Sequence, residues 1–487
     1  MNRKPIPVGV PAAAPAFPNS PPRRRPTMGD TRRMRRRLEE AEQDEGVDLI
    51  SRLPDALLGE IVSLLPTRDG ARTQVLSSRW RHLWRSAPLN FDLERRPVPV
   101  PEVTRILSSH QGPGRRFCHP AYPDPRDRSA AAAALDGWLG CPALTGLQDL
   151  VLQCALMGYN PAPLPASLLA HRFSSTLRAA SFGTCDFRGA GAGALRFPVL
   201  EQLTLSFATI SESSLHALLA GCPVLQSLVL AFNRGFNRVR LVSACLRSIG
   251  VHAGWSRYKL LQLVIEDAPC LERLLFLEDA PDKGLEIAVI SAPRLGILGK
   301  LSDTSPILKF DTTEFQGSHL ISTATVVHSV TVLALTNTNL SLDVIINFMR
   351  RFPCLEKLYI KASLAGGKNA WRRKYKDLIG TLDIRLKKIV FINYRGGNTS
   401  HVNFAKFFLL NARALESMIL KLDNANPSRA CIETHHRSLL QIKNKASRCA
   451  QVQFVYGIYP RWRIYDHVEQ AHELSTGDPF VDFRYLI

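Results

Sequence analysis

The sequence predicts an α/β solenoid of stacked repeats that follows a small helical module. Three observations predict this fold. A Leu-x-x-Leu-x-Leu pattern returns along much of the 487-residue chain, apolar residues recur at helical spacing between residues 52 and 84, and helix-like segments separate several copies of the repeated pattern. Because one such repeat cannot bury its apolar face alone, the copies must stack around a continuous core.

The helical module comes first along the chain. Pro54 suits the first turn of a helix, which Pro66 should end. Thr67 should cap a second short helix through Val75, and Ser77 should cap a third. A module of roughly fifty residues or fewer has too little interior to bury all of the apolar side chains between residues 52 and 84. The surplus predicts a protein partner.

The repeated pattern follows. Successive copies begin about 21 to 35 residues apart, which matches the leucine-rich-repeat period. We therefore expect a leucine-rich-repeat solenoid, a horseshoe with a parallel sheet on its concave side and helices over 211–223, 341–353 and 401–413. An ordinary α/β domain with leucine-rich strands is the alternative. Clear copies begin at Leu147, Leu200, Leu225, Leu271 and Leu355, weaker ones at Leu177, Leu246, Val330, Leu386 and Leu415, and a degenerate one at Leu295.

Two segments read as poorly ordered. Residues 1–46 form a basic arm rich in proline and arginine, and residues 94–135 form a linker rich in proline, glycine, arginine and alanine. The first forty residues contain a cluster of eight arginines between residues 23 and 37 and contribute +7 of the net charge of +20. The charge invites a nucleic-acid role, but the position of this cluster in a segment of disordered composition weakens that interpretation, and nuclear import or loose contact with an anionic surface is an alternative to a plain solvated tail.

The remaining composition points to a protein inside the cell, in the nucleus or the cytoplasm. No apolar run approaches the ~20 residues of a membrane-spanning helix, and the first residues lack the apolar block of a secretory signal. The ten cysteines show no close Cys-x-x-Cys pair and are expected to be buried thiols. The sequons at Asn339 and Asn398 would matter only in a secreted protein.

Motifs for catalysis are missing from the sequence. It contains no phosphate loop, no His-Glu-x-x-His helix and no Gly-x-Ser-x-Gly elbow. The glycines of GAGAGAL from Gly189 have the wrong spacing for a dinucleotide, and the adjacent His435 and His436 point to different sides of any regular element, which argues against a metal pair. We expect no enzymatic activity, cofactor or metal.

The helical module resembles the F-box in its plant-type form, and residues 47–93 are assigned to it. The matching residues are Leu-Pro-Asp from Leu53, Leu-Pro-Thr-Arg-Asp from Leu65, and Val-Leu-Ser-Ser-Arg-Trp-Arg-His-Leu-Trp from Val75. The resemblance implies docking on the Skp-type adaptor of a cullin–RING ubiquitin ligase. By the same resemblance the docking surface includes Leu53, Pro54, Leu57, Ile61, Leu64, Leu65, Pro66, Val75, Leu76, Trp80 and Trp84.

Two parts of this surface carry alternatives. Trp80 and Trp84 either face the partner or form the core of the module. Gly70, Ala71 and Gln74 depart from the usual residues of the family, and a glycine inside a helix costs about 0.5 to 1 kcal/mol relative to alanine. Weakened docking is therefore an expectation.

The repeats after the module fit the same family, in which they recruit the target. Residues 136–380 are assigned to the repeats and 381–460 to a region that resembles the FBD of plant F-box proteins, on LKKIVFINYRGG from Leu386 and FFLLNARALESMIL from Phe407. Residues 461–487 form a C-terminal tail. The resemblance implies a substrate-recognition adaptor that leads to ubiquitination and degradation of an unknown target. The alternative is a basic nuclear scaffold or a nucleic-acid-associated protein with a vestigial F-box.

The target should bind the concave side of the sheet, where side chains alternate with the buried leucines. Early repeats place small or neutral groups there, namely Gln202, Thr204, Ser206 and Ser227. Later repeats place basic and aromatic groups there, which favours an acidic or phosphorylated target segment. Solubility of an exposed sheet face is the alternative reason for these lysines. The candidate target-binding residues are Lys357, Tyr359, Lys361, Lys388 and Lys421.

Overall fold

The structure is a computed structural model of the full chain. It divides into two compact units, Met1–Leu58 and Gly59–Ile487. The predicted arm lies outside the described residues, as does the tail apart from residue 474. The structure describes residues 50, 52–92, 99–119, 128–154, 161–189, 192–252, 260–277, 284–301, 307–310, 313–316, 319–320, 326–338, 342–362, 383–422, 436–456 and 474.

The described part of the first unit is short. Leu53 donates its backbone N–H to the Ile50 carbonyl oxygen at 3.1 Å, and Leu58 donates to the Pro54 carbonyl oxygen at 3.1 Å. Pro54 thus stands just before the first helical turn, where its missing N–H costs nothing. The helix therefore begins one residue after Pro54, and it ends at Ser63, three residues before Pro66.

Nine α-helices are described. In the second of them, Thr67 is the first helical residue and Pro66 occupies the capping position, so the predicted cap at Thr67 is wrong by one residue. Thr67 Oγ1 instead donates to the Asn90 carbonyl oxygen at 2.9 Å. The helices are α1 Asp55–Ser63, α2 Thr67–Arg72, α3 Ser78–Ser86, α4 Val100–Ser109, α5 Arg128–Leu139, α6 Ala166–Leu169, α7 Glu212–Ala220, α8 Leu342–Arg351 and α9 Thr399–Asn411.

The second unit is built on a parallel sheet of fourteen strands. Its strands lie in chain order across the sheet, as stacked repeats require. They are β1 Leu89–Phe91, β2 Gly114–His119, β3 Asp149–Gln153, β5 Ala179–Gly183, β7 Gln202–Ser206, β8 Ser227–Ala231, β10 Ser248–His252, β12 Arg273–Phe276, β14 Ile297–Leu301, β18 Val332–Thr338, β19 Lys357–Ala362, β20 Lys388–Tyr394, β21 Ser417–Leu422 and β22 Gln451–Tyr456.

Each copy of the repeated pattern supplies one of these strands, which confirms the predicted repeat solenoid. The strand begins two residues after the first aliphatic residue of the copy, for example at Ser227 after Leu225. The second and third leucines of that copy, Leu228 and Leu230, are buried in the main core. Even the degenerate copy at Leu295 forms a strand, β14.

A second sheet replaces helices in the middle repeats, which the sequence analysis missed. Its six strands are β9 Arg238–Val242, β11 Gln262–Asp267, β13 Glu286–Val289, β15 Ile307–Phe310, β16 Thr313–Gln316 and β17 His319–Leu320. The first four pair in parallel, and β16 pairs antiparallel with both β15 and β17. Alternate residues of β9, Val239 and Leu241, are buried in the main core. A further pair, β4 Ala162–Pro163 and β6 Cys185–Asp186, forms a two-stranded sheet.

The three predicted helices are confirmed. They are α7, α8 and α9, within a few residues of the predicted bounds. Ser211 caps α7 by accepting a hydrogen bond from the Ser214 backbone N–H at 3.1 Å. Asn398 caps α9 in the same way, accepting from the Ser400 N–H at 2.9 Å.

The predicted linker over 94–135 is wrong, because most of its described residues form regular structure. Helix α4, strand β2 and the first part of α5 lie in it, and β2 pairs with β1 and β3 in the main sheet. Gln111 and Gly112 each donate a backbone N–H to the Arg85 carbonyl oxygen at 2.9 Å. Trp138 Nε1 donates to Thr104 Oγ1 at 2.8 Å. From Gly59 onward, the helical module therefore continues directly into the repeats.

Two of the cysteines are paired. The structure joins Cys154 and Cys185 in a disulfide with Cα atoms 5.3 Å apart, so the expectation of free thiols is wrong for this pair. Seven other cysteines among the described residues are free thiols. No helix within the described ranges combines the length and the apolar character that crossing a membrane requires.

Two buried histidines and the half-buried His252 predict a pH-dependent stability. Burial is the largest cause that lowers the pKa of His119, His252 and His401 to about 4. At these histidines the folded chain binds protons more weakly than the unfolded chain. Their contribution to the free energy of unfolding is therefore fully present above about pH 6.5 and decreases as the pH falls towards about 4. We expect the free energy of unfolding in urea to decrease over this window.

A matched pair of variants tests this expectation. His401→Gln should reduce the slope of unfolding free energy against pH, whereas His328→Gln, at an exposed position, should leave it unchanged. Equal slopes for the His401→Gln variant and the native chain would contradict the prediction.

Candidate protein-docking surface

In the first unit, two of the predicted docking residues are exposed and one is half-buried. Leu57 is 53% exposed, Pro54 is exposed, and Leu53 is half-buried. Leu58, which directly follows, is fully buried. Leu58 therefore supports the fold of this unit, whereas Leu57 faces solvent.

In the second unit, four predicted docking residues are large, apolar and exposed. The exposed fractions are 46% for Ile61, 77% for Leu64, 84% for Val75 and 64% for Leu76. Removing a leucine or valine side chain from water is worth about 1.5–3 kcal/mol. Exposed apolar groups gathered in so short a segment are typical of a protein-docking surface.

Three more of the predicted residues are half-buried. Leu65, Pro66 and Trp80 keep part of their surface exposed, and Trp80 packs against the main core. Their part in docking stays a prediction.

The structure corrects the assignment of Trp84 as a docking residue. Trp84 is only 9% exposed and belongs to the main core with Val62 and Leu89. Its ring meets the ring of His110 edge to face at 5.7 Å. Of the two alternatives for this tryptophan, the core position is the one found.

Gly70 explains how this tryptophan fits, and it corrects the expectation that glycine here is only a cost. A Cβ on Gly70 would lie 2.4 Å from Trp84 Cζ3, well inside van der Waals contact. The absent side chain thus provides the space that the indole ring fills. Gln74 also has a local role, since its Nε2 donates to the Ala71 carbonyl oxygen at 3.0 Å where the helix ends.

A bidentate ion pair within the second unit joins Glu60, near the end of α1, to strand β2. Arg115 Nη1 and Nη2 of β2 contact the Glu60 carboxylate at 3.0 and 3.1 Å. Arg115 lowers the pKa of Glu60. The pair links the helix end that carries Ile61 and Leu64 to the first strands, because paired geometry of this kind restricts both side chains.

The candidate target-binding residues all lie on one face of the main sheet, called the front face here. In the register of β19, β20 and β21, Lys357 lies beside Lys388, and Lys361 lies two strands from Lys421 in the same row. All four lysines are half-buried. Between these two rows runs an apolar row of Tyr359, Val390 and Ile419.

The structure corrects the prediction that Tyr359 binds the target. Its side chain is fully buried in a second apolar cluster with Ala334 and Val390, so its surface is not available to a target. Lys388 Nζ lies 5.7 Å from the centre of its ring. In the early repeats, Thr204, Ser206 and Ser227 are buried as well, whereas Gln202 is half-buried.

The second cluster contains residues that the sequence analysis missed. Val229 and Leu275 occupy the front face of β8 and β12, and Leu474 of the C-terminal tail packs with them. The sequence already indicated a second buried face, because β8 (SLVLA) and β12 (RLLF) carry apolar residues on both faces of the strand. Strands that are apolar on both faces are buried on both.

Histidines and acidic groups do not form a metal site in the described part of the chain. No group of three or more His, Cys, Asp or Glu side chains there could hold a metal ion. His436 is buried against Gly396, and His435 lies outside the described residues. Gly193 of the GAGAGAL segment lies within a 3₁₀ turn over Ala192–Ala194.

Three family models match consecutive parts of the chain. A model described as the F-box domain matches residues 50–92, one described as the LRR repeats of FBD-associated F-box protein At5g56370 matches residues 135–360, and one described as FBD matches residues 376–420. The exposed leucines therefore lie on an F-box, and the parallel strands on leucine-rich repeats that lead into an FBD.

Curated relatives share this organisation. The chain is 32% identical over 193 residues to F-box/LRR-repeat protein At3g03360 of Arabidopsis thaliana, a match that covers 39% of each chain. It is 29% identical over 261 residues to F-box/FBD/LRR-repeat protein At4g00160 of the same plant, covering 52% of this chain and 51% of that one. F-box/FBD/LRR-repeat protein At2g04230 is 33% identical over 196 residues, which are 38% of this chain and 42% of the relative.

The matched segments thus span about two fifths to one half of these relatives. The predicted resemblance is confirmed: the chain carries F-box, leucine-rich-repeat and FBD regions, and its homologues are Arabidopsis F-box/FBD/LRR-repeat proteins. Such proteins generally act as substrate adaptors of Skp–cullin–F-box ubiquitin ligases.

Proposed function

We propose that this chain is the substrate-recognition subunit of a Skp–cullin–F-box ubiquitin ligase. The observation that carries the proposal is the group of exposed apolar side chains on the F-box, with Leu64 and Val75 the most exposed. A partner that covers this surface gains the free energy of burying it. The partner proposed here is a Skp-type adaptor, which in turn joins the chain to a cullin–RING ligase.

The proposed mechanism is tethering, with no chemical step on this chain. The F-box binds the adaptor, and the repeats bind a target protein through the front face of the sheet. The lysines of the target are then held close to activated ubiquitin, which raises their effective concentration. We place this activity inside the cell, in the nucleus or the cytoplasm.

The charge of the front face supports a preference for an acidic target. Lys357, Lys361, Lys388 and Lys421 surround an apolar row at the later end of the repeats. An acidic or phosphorylated segment would complement this surface.

Co-purification tests the proposed function. The full chain is co-expressed with a plant Skp-type adaptor and a cullin–RING pair, and then washed in low and in high salt. We expect retention of the adaptor and the cullin in both, because burial of apolar surface tolerates salt. Loss of both proteins in low salt would contradict the proposal.

A second candidate function rests on the net charge of +20. A basic scaffold that binds nucleic acid would release counterions on binding and would lose affinity steeply as salt increases. Retention of DNA or RNA in low salt, its loss in high salt, and no adaptor in either would favour this second function.

A further inference from the structure

A row of apolar side chains crosses the front face at the middle of the sheet. Val229 of β8, Gly250 of β10 and Leu275 of β12 lie side by side in the strand register. Gly250 leaves a gap in this row, because it has no side chain between the two branched ones. On this face, Ser248 and Arg273 form the adjacent row. We call Val229, Ser248, Gly250, Arg273 and Leu275 the leucine slot.

Leu474 of the C-terminal tail fills this gap. Its side chain is only 6% exposed and belongs to the same apolar cluster as Val229 and Leu275. A Cβ on Gly250 would lie 2.9 Å from Leu474 Cδ1, so the leucine rests directly on the glycine. The slot is therefore shaped for one branched aliphatic side chain.

The two polar residues of the slot bind the main chain of its occupant. Arg273 Nη1 donates to the Leu474 carbonyl oxygen at 2.5 Å, and Ser248 Oγ donates to the same oxygen at 3.4 Å. Every peptide residue offers such a carbonyl, so these bonds hold any sequence, whereas the gap over Gly250 selects the side chain. Together they recognise a leucine within a polypeptide.

We propose that the leucine slot is a recognition site for a leucine-bearing segment of a target protein, and that Leu474 occupies it in the free chain as an internal mimic. The proposal deepens the proposed function and rests on it, since it names what the repeats bind. The occupant is argued from the leucine that the structure seats there. The tail competes with the target because both need the space above Gly250.

Competition from Leu474 should lower the affinity of the slot for a peptide from solution by a measurable factor. A tethered segment acts at an effective concentration in the millimolar range, and a ligand that needs the open slot binds more weakly by the fraction of chains in which the slot is open. Removing Leu474 should therefore strengthen the binding of a leucine peptide supplied from solution.

The test uses a fluorescent synthetic peptide of residues 468–480 and full-length chains. By fluorescence anisotropy we expect the peptide to bind the Leu474→Asp chain at least about tenfold more tightly than the native chain. The Leu486→Asp chain, with the same substitution twelve residues further along the sequence, should bind like the native one. The peptide carrying aspartate in place of its leucine should not bind.

Two slot variants locate the binding. In the Leu474→Asp background, Gly250→Val should abolish peptide binding by filling the gap. Arg273→Met, which leaves the gap open, should weaken it at least about threefold by removing the bond to the carbonyl oxygen. Unchanged affinity in both variants, with melting temperatures close to that of the parent, would overturn the proposal. So would an absence of peptide binding to a folded Leu474→Asp chain.

The same chains separate this inference from the proposed function. Adaptor retention without peptide binding to the Leu474→Asp chain would overturn the slot alone. Peptide binding without adaptor retention would support the slot as a peptide site and would overturn the ligase role.

Discussion

Aspartate at both Ile61 and Leu64 is expected to weaken the binding of a Skp-type adaptor by at least about 100-fold. Both side chains are apolar and exposed, at 46% and 77%. In a complex the two carboxylates would be buried without a partner, which costs more than the lost apolar contact. Because neither side chain supports the core, the variant should keep the unfolding free energy of the native chain within about 0.5 kcal/mol for each change.

A substitution of the same kind outside the F-box provides the control. Val242 of β9 is 69% exposed, so Val242→Asp changes surface charge and hydrophobicity by a comparable amount. We expect it to leave adaptor affinity unchanged in titration calorimetry. Equal loss in the Val242→Asp chain would mean that surface charge, rather than the F-box surface, determines binding.

Alanine at Gly70 is expected to lower the free energy of unfolding by about 1–3 kcal/mol, as overpacking of a core does. The added methyl group would lie 2.4 Å from Trp84 Cζ3. The indole ring is held by the core and by His110, so it has little room to move away. Urea unfolding of the full chain measures this change.

Gly137 of α5 is the matched control. It also lies within a helix, but a Cβ there would meet nothing within 4 Å. Gly137→Ala should therefore stabilise the chain by about 0.5–1 kcal/mol through helix propensity alone. Stabilisation by Gly70→Ala of similar size would show that the indole ring does not need this space.

The repeat sheet could be predicted from the sequence because each strand carries its own signal. Leu228 and Leu230, for example, fix both the start of β8 and the face that it buries. The exposed F-box leucines could be predicted for a related reason. A short module with more apolar side chains than it can bury must leave some of them at its surface.

Other features depend on contacts with residues that are distant in the sequence, which no local pattern reveals. RVRLV alternates in the way of a strand, yet its place in a second sheet depends on pairing with β11, more than twenty residues away. The segment over 94–135 contains many helix-breaking residues, but hydrogen bonds from Gln111 and Gly112 to the Arg85 carbonyl oxygen order it. Gly70 looked like a defect because its value depends on Trp84, fourteen residues away.

On the proposed function, the F-box binds a Skp-type adaptor through its exposed apolar side chains. The most direct measurement is the dissociation constant of the full chain for a purified plant Skp-type adaptor, determined by titration calorimetry at low, moderate and high salt. Tight binding that changes little with salt, with the negative heat-capacity change of apolar burial, is the predicted result. No binding at any salt concentration, or an affinity that falls steeply as salt increases, would contradict the claim.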